Sequence, residues 1–259
     1  MTLGEMFRKY LRNSFLSTIG RLKGVSEGIH ILNGHYISRS KPLEETFLQL
    51  LKKINNHSDL VNFEDAIEAI ENKDFVGNKL VAFSFDDGFK ECYTMIAPSL
   101  QKFNVNAAFF INPGFVNGNL SYIENFCKNI VHVKKEPMSW LQIKELYNNG
   151  YVIGNHTYDH LRLSEVPSNL HYKQIVDSKL VIEQNIGGKC DYFAWPYGKE
   201  SDINTEALDL AMANHKYLFA AQGAEEYNFL GMKNVLNRRH IEGDWPISHV
   251  RYFLSRRKS

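Results

Sequence analysis

Seven short apolar runs separated by helical patterns limit most strongly what this chain can fold into. They are GIHIL (28–32), LVAFSF (80–85), NAAFFI (106–111), YVIG (151–154), DYFAW (191–195), YLFAA (217–221) and NVLNRRHI (234–241). Between them the apolar spacing turns helical. Leu43, Phe47, Leu50, Leu51 and Ile54 mark one face, and Asn62 stands where it would cap a second helix carrying Phe63, Ala66, Ile67 and Ile70. A third pattern, Tyr93 to Phe103, is predicted to kink or restart at Pro98. Ser139 and Gln142 have capping-box spacing, with Gly150 as the stop. Longer patterns cover 169–186 and 204–214, and Pro246 opens a last helix. Strand–helix alternation implies a parallel sheet, and six or more such strands predict one α/β domain, a distorted (β/α) barrel over residues 28–259.

Residues 1–27 read as a separate amphipathic helical segment. Phe7, Leu11, Phe15 and Ile19 recur at helical spacing among Arg8, Lys9, Arg12, Arg21 and Lys23. Such a helix is expected to pack on its own domain, with peripheral membrane contact through residues 5–23 as the alternative. No apolar run approaches the ~20 residues of a membrane span, and no 7–15-residue signal core is present. A cytoplasmic location is the expectation. A formal charge of +1 gives no global field for nucleic acid. Cys92, Cys127 and Cys190 are odd in number and far apart, so neither a CxxC zinc site nor a disulfide framework is implied.

In a (β/α) barrel the chemistry collects at the C-terminal ends of strands. Polar groups of this chain follow that rule. Asp86-Asp87-Gly88 ends one run, Asn155-His156 another and Pro196-Tyr197 a third. Adjacent carboxylates repel unless a cation or shared proton stabilises them. One of the pair can bind metal while the other takes a proton from water. His156 and His160 are four residues apart, the spacing that places two imidazoles on one side of a turn. Two His and one Asp leave coordination positions open for water and substrate. There is no HExxH.

Together these segments resemble the polysaccharide deacetylase family, carbohydrate esterase family 4. The family's T-F-D-D-G appears as Ser84-Phe85-Asp86-Asp87-Gly88, its H-[ST]-x-x-H as His156-Thr157-Tyr158-Asp159-His160, and its Pro-[Tyr/Phe]-Gly as Pro196-Tyr197-Gly198. The resemblance implies that Asp87, His156 and His160 bind one divalent ion, with Zn2+ first and Co2+, Ni2+ or Mn2+ as alternatives. It implies Asp86 as general base and the Tyr197 backbone N–H as oxyanion donor. The expected reaction removes acetyl from N-acetylhexosamine residues of an oligosaccharide, polysaccharide or glycan precursor.

Two departures bear on the mechanism. Many members carry an Arg two residues before the motif proline, and here that position is Ala194. No clear L-x-H segment supplies an acid, and IEGDW (241–245) only partly matches the family's D-x-x-D-W. GIHILNGHYIS (28–38) resembles an early-strand element of poly-N-acetylglucosamine deacetylases whose His is the acid, which makes His35 the first candidate. His240 and His249 are others. The same branch has an Arg in a late strand, and Arg239 is the candidate to orient the base, ahead of Arg238. Strand alternation puts Arg239 and His240 on opposite faces. Trp195, Pro196 and Tyr197 are candidates to contact substrate, with Trp195 as a stacking surface. Competing readings are a sugar-binding relic without turnover, an amidohydrolase for a lipid-linked sugar or cyclic amide, and a phosphate-ester hydrolase. The last would want more carboxylates for a second metal.

Overall fold

A computed structural model describes residues 3–39, 43–74, 76–223 and 225–256. Nine strands form its sheet: β1 Gly28–Gly34, β2 Asp59–Leu60, β3 Lys79–Phe85, β4 Ala107–Ile111, β5 Val152–Asn155, β6 Tyr192–Ala194, β7 Tyr217–Ala220, β8 Val235–Asn237 and β9 Arg239–His240. Their order is β8-β7-β6-β5-β4-β3-β1-β9, with β2 beside β3. Every pairing is parallel.

The two ends of that order, β8 and β9, are consecutive in the chain. One stretch, interrupted only at Arg238, pairs with β7 through its first half and with β1 through its second. The sheet thereby curls into a nearly closed barrel, and helices surround it, as the alternating pattern predicts.

Alternation along the strands sorts the barrel's interior into two levels. The lower level is apolar: Ile29 and Ile31 of β1, Ala82 of β3, Ala108 and Phe110 of β4, Phe219 of β7 and Leu236 of β8 are all buried together. Phe63, from the helix Phe63–Asn72, closes the level with rings at 6.4 Å from Phe110 and 5.3 Å from Phe219. Two residues further along the same strands come Asn33, Ser84, Asn112 and Arg238, all buried. The intervening side chains, among them Leu32, Phe83, Phe85 and Phe109, pack outward under the helices. The apolar plug thus supports a polar ring above it.

Local structure departs from the sequence patterns in three places. The helix expected to kink or restart at Pro98 does so through a π segment, Cys92–Ile96 ahead of Ala97–Gln101, and the pattern read as one helix over 169–186 contains another, Lys173–Asp177 ahead of Ser178–Ile186. At the first, Pro98 has no N–H to give the preceding turn, which widens before the helix restarts. Asn62 is the N-terminal cap by position, yet its side-chain oxygen accepts from the Asn106 N–H at 3.0 Å and not from its own helix. Residues 113–130, unassigned by apolar spacing, form the short helices Pro113–Val116 and Leu120–Asn125 and a π turn, Phe126–Ile130.

The segment before β1 is a helix, Leu3–Leu22, lying on the last helix, Ile247–Leu254. A glycine permits the contact: a Cβ on Gly20 would lie 1.7 Å from the Ser248 carbonyl oxygen. Ser17 Oγ meets His249 Nε2 at 3.0 Å. Among the described residues no helix is long and apolar enough to cross a membrane.

Candidate active site

The polar ring opens into a pocket of about 320 Å3 at the C-terminal ends of the strands, lined by residues that include Asn33, His35, Asp86, Asp87, His156, His160, Tyr197, Arg238 and His240. A larger cavity of about 880 Å3 lies beyond the opposite ends of β4 and β5, beside Asn106, Glu145 and Tyr151, and no motif residue reaches it.

Asp87, His156 and His160 each turn one ligand atom to a common point, all within 4.8 Å of one another. Asp87 Oδ1 lies 3.2 Å from His160 Nε2 and 3.7 Å from His156 Nε2. This oxygen is buried and has no hydrogen-bond partner among the described residues. His156 Nδ1–H donates to the Ala194 carbonyl at 2.7 Å, which fixes the tautomer and turns the Nε2 lone pair inward. Burial lowers the His156 pKa to about 4, against the opposing pull of Asp86, so the imidazole is neutral near pH 7. An unpartnered carboxylate oxygen facing a neutral imidazole lone pair is the donor set that a divalent cation completes.

The ligands sit on backbone that few residues accept. Asp87 (φ 72°), Thr157 (φ 63°), His160 (φ 56°) and Tyr197 (φ 66°) all occupy the left-handed region. Neutral hydrogen bonds to main chain hold the His motif there. Asn112 Nδ2 donates to the carbonyls of His156 and Thr157. Asn155 Oδ1 accepts from the Thr157 N–H at 3.0 Å and from Ser178 Oγ at 2.7 Å. Gln174 takes the Tyr158 N–H on its carbonyl and the Asp159 N–H on its side-chain oxygen. Tyr197 is followed by Gly198, also left-handed, where a Cβ would come 2.5 Å from Ala221 Cβ. The Tyr197 ring stands between the edge of His160, at 5.2 Å, and the Arg162 guanidinium, at 4.1 Å, which Asp202 pairs from behind.

Asp86 is held by charge. Arg238 forks onto it, Nη1 to Oδ1 at 2.7 Å and Nη2 to Oδ2 at 3.0 Å, and Asn33 Nδ2 donates to Oδ2 at 3.0 Å. Arg238 Nη1 also reaches Asn33 Oδ1 and Ser84 Oγ, both at 3.1 Å. Burial by itself would raise the Asp86 pKa; the Arg238 guanidinium outweighs it and, with His156, holds the carboxyl well below the usual carboxylate range. Asp86 is ionised throughout ordinary pH.

Arg239, the first sequence candidate for this contact, lies elsewhere. Its guanidinium is 5.5 Å from the Phe253 ring, on the other face of the strand, beside Glu225. Alternation separates Arg239 from His240 as expected, and the same rule puts Arg238 and His240 together in the pocket. Trp195 is also displaced from its expected part. It is fully buried, donates Nε1–H to the Lys199 carbonyl at 3.0 Å and packs on Phe229, so no ring face is left for a sugar. Pro196 is buried too, and only Tyr197 of the three stands exposed.

His35 follows β1 and faces the pocket 5.5 Å from His240, ring centre to ring centre. Burial lowers its pKa, with Asp87 and Asp86 pulling the other way. His240 Nε2 is 3.9 Å from Glu242 at the rim, whereas His249 is under the first helix. The loop after His35 is fixed by a buried pair: Glu91 accepts from the Ile37 N–H at 2.5 Å and from Lys135 Nζ at 2.6 Å, and Lys135 also donates to the Ser38 carbonyl. Sequence patterns single out neither of these two charges, nor Asn33, Asn112, Ile130 or Val131. A lone polar residue at an inward position, as Asn33 in GIHILNG, is the one signal available.

A profile described as polysaccharide deacetylase matches residues 73–217, more than half of the chain. The chain belongs to the polysaccharide deacetylase family. The peptidoglycan-N-acetylglucosamine deacetylase of Bacillus cereus is 30% identical over 120 residues, 46% of this chain and 36% of that protein. The matched stretch is well under half of that relative. Among solved structures, IcaB from Ammonifex degensii superposes with a TM-score of 0.72 at 22% identity, covering 90% of this family member and 99% of IcaB. A de-N-acetylase from Aggregatibacter actinomycetemcomitans gives 0.62 at 22% identity, over 87% and 98%. These two likenesses are of fold.

Proposed function

We propose that this member of the family is a metal-dependent hydrolase of carbon–nitrogen bonds that releases acetate from N-acetylhexosamine residues of a glycan. The observation that carries the reading is the juxtaposition, in one pocket, of the Asp87–His156–His160 donor set with an ionised Asp86 clamped by Arg238. Two imidazoles and one carboxylate favour Zn2+, with Co2+, Ni2+ and Mn2+ as close alternatives. When bound, such a cation lowers the pKa of water and polarises an acyl oxygen.

The chain's own residues supply the rest. Asp86 accepts the proton of the attacking water on a carboxylate oxygen, and Arg238 and Asn33 keep that oxygen aimed. A carboxylate so well paired is a weak base, which suits a water that is already acidified. The Tyr197 backbone N–H is assigned to the oxyanion of the tetrahedral intermediate, on a turn that Gly198 and Arg162 hold fixed. His35, in its imidazolium form, gives a proton to the departing amine, and the proton that Asp86 took from water makes good that loss over the turnover. A pocket at the small end of the ~300–1,000 Å3 range fits one sugar residue and its acyl arm at depth. Arg238 answers the missing Arg at Ala194, which removes one of the two supports for a relic without turnover, the other being the identity of the acid.

Acetate release from N-acetylglucosamine oligomers by metal-loaded protein tests the reading. Chelation is expected to abolish release, and Asp86→Asn to cut it at least ~100-fold while metal stays bound. Undiminished turnover in Asp86→Asn overturns the assigned base.

A further inference from the structure

The helix Leu3–Leu22 has apolar residues on two sides, and the barrel uses one. Leu16 and Gly20 are buried against Ile247–Leu254. On the opposite side Phe7, Leu11 and Leu22 are 62%, 52% and 79% exposed, with Tyr10 beside them at 68%, and Phe15, 53% exposed, continues the stripe where its ring meets Tyr252 of the last helix at 5.7 Å. Arg8 and Arg12 flank one edge of that stripe and Arg21 the other, by helical spacing.

Charge narrows what can cover it. Residues 1–24 contain five basic residues (Arg8, Lys9, Arg12, Arg21, Lys23) and one acid (Glu5), a formal +4, whereas the whole chain is +1. The remainder is therefore −3, and the positive charge is concentrated where the apolar stripe is. A second copy docked face to face would crowd the flanking arginines Arg8, Arg12 and Arg21 of both copies around the contact. An apolar ridge edged with arginine instead matches a bilayer interface, where aromatic and aliphatic side chains enter the acyl boundary and guanidinium groups meet phosphates.

We infer that this exposed face is a peripheral docking surface for an anionic phospholipid membrane, holding the barrel at the bilayer without crossing it. The inference stands independently of the hydrolytic reading.

Sedimentation of the full chain with phosphatidylcholine vesicles, with and without phosphatidylglycerol, tests it. The protein is expected to bind the phosphatidylglycerol vesicles, to release as salt rises, and to bind phosphatidylcholine alone at least about tenfold more weakly. Phe7→Ser/Leu11→Ser and Arg8→Gln/Arg12→Gln should each lower partitioning roughly tenfold or more, with melting temperature and acetate release from soluble oligomers unchanged. No binding to phosphatidylglycerol vesicles, or equal binding by wild type and both double variants, overturns the inference. So does a lipid-free dimer that Phe7→Ser/Leu11→Ser dissolves, which would assign the face to a second copy. Loss of binding with loss of the fold is recognised by melting and answered by the arginine pair, which lies wholly at the surface.

Discussion

The two walls of the pocket are built by different means. The motif wall, from the ends of β3, β5 and β6, carries Asp87, Thr157, His160 and Tyr197 on left-handed backbone, braced by neutral hydrogen bonds from Asn112, Asn155 and Gln174. The closing wall, from β1 and the split strand β8–β9, is held by ions: Arg238 on Asp86 below, and Lys135 on Glu91 behind the His35 loop. Neutral bracing fixes direction and costs little desolvation. Ion pairing fixes charge state as well as place, but leaves a costly orphan when one partner goes. The wall that must present lone pairs uses the first device beside its ligands, with ion pairs only behind them at Lys173–Asp159 and Arg162–Asp202, and the wall that must keep a carboxylate ionised uses the second.

The largest expected effect is on the closing wall. Arg238→Met strands a buried Asp86 carboxylate, and urea unfolding should show a loss of about 3–5 kcal/mol together with near-complete loss of acetate release. Arg239→Met, one residue on, should leave turnover close to wild type. If the two variants behave alike, the forked contact is not what organises the base.

Next comes His35→Ala, expected to reduce turnover about 100-fold while metal binding by calorimetry stays intact. Unchanged kinetics would move the acid role to His240, the neighbouring ring.

The motif wall has its own sensitivity to pH, through a residue outside the pocket. His215 Nε2 meets Asn155 Nδ2 at 3.2 Å, and burial lowers its pKa from 6.5 to about 4. The folded protein holds neutral imidazole, so the unfolded chain binds more protons between those values. Stability is full above pH 6.5 and falls as pH drops toward 4, by about 3 kcal/mol for this one group. His156 adds to the fall with the same sign in metal-free protein. The discriminating measurement is the difference between wild type and His215→Gln, which should flatten the profile. Parallel profiles would remove His215 from the bracing.

Asn112→Ala should weaken metal affinity about 10–100-fold by freeing the two carbonyls it holds, read by competition with a chelator. At the small end, Glu242→Gln removes a rim partner of His240 at 3.9 Å, for which about 1 kcal/mol or less is expected. A larger cost there would mean that the rim is organised as tightly as the ring below.

The same division explains what the sequence makes legible. Asp86-Asp87-Gly88, His156 to His160 and Pro196-Tyr197-Gly198 each fit within five residues, so short-range pattern reveals the motif wall, and the matched stretch 73–217 contains all of it. The closing wall joins Asn33 to Arg238, and Glu91 to Lys135, across separations that no local spacing encodes. Period-two alternation separates Arg239 from His240, but which of Arg238 and Arg239 faces inward depends on where β8 breaks, a tertiary matter. Trp195 fails for a related reason: adjacency to a motif proline does not say which side of the turn its ring takes. The barrel is legible because each apolar run ends where chemistry begins, whereas a π segment keeps its helix's apolar face and so leaves no mark in apolar spacing.

The four left-handed residues bear on how this protein can change. Each carries roughly 1–2 kcal/mol that glycine would largely relieve. In a library randomised at Asp87, Thr157, His160 and Tyr197, selection for cellular abundance should therefore enrich glycine and asparagine. Selection for turnover should restore the native side chains at the two ligands, Asp87 and His160, and be more permissive at Tyr197, which acts through its backbone N–H. The distance between those two outcomes measures how much foldability the barrel yields to hold a cation and an oxyanion in one place.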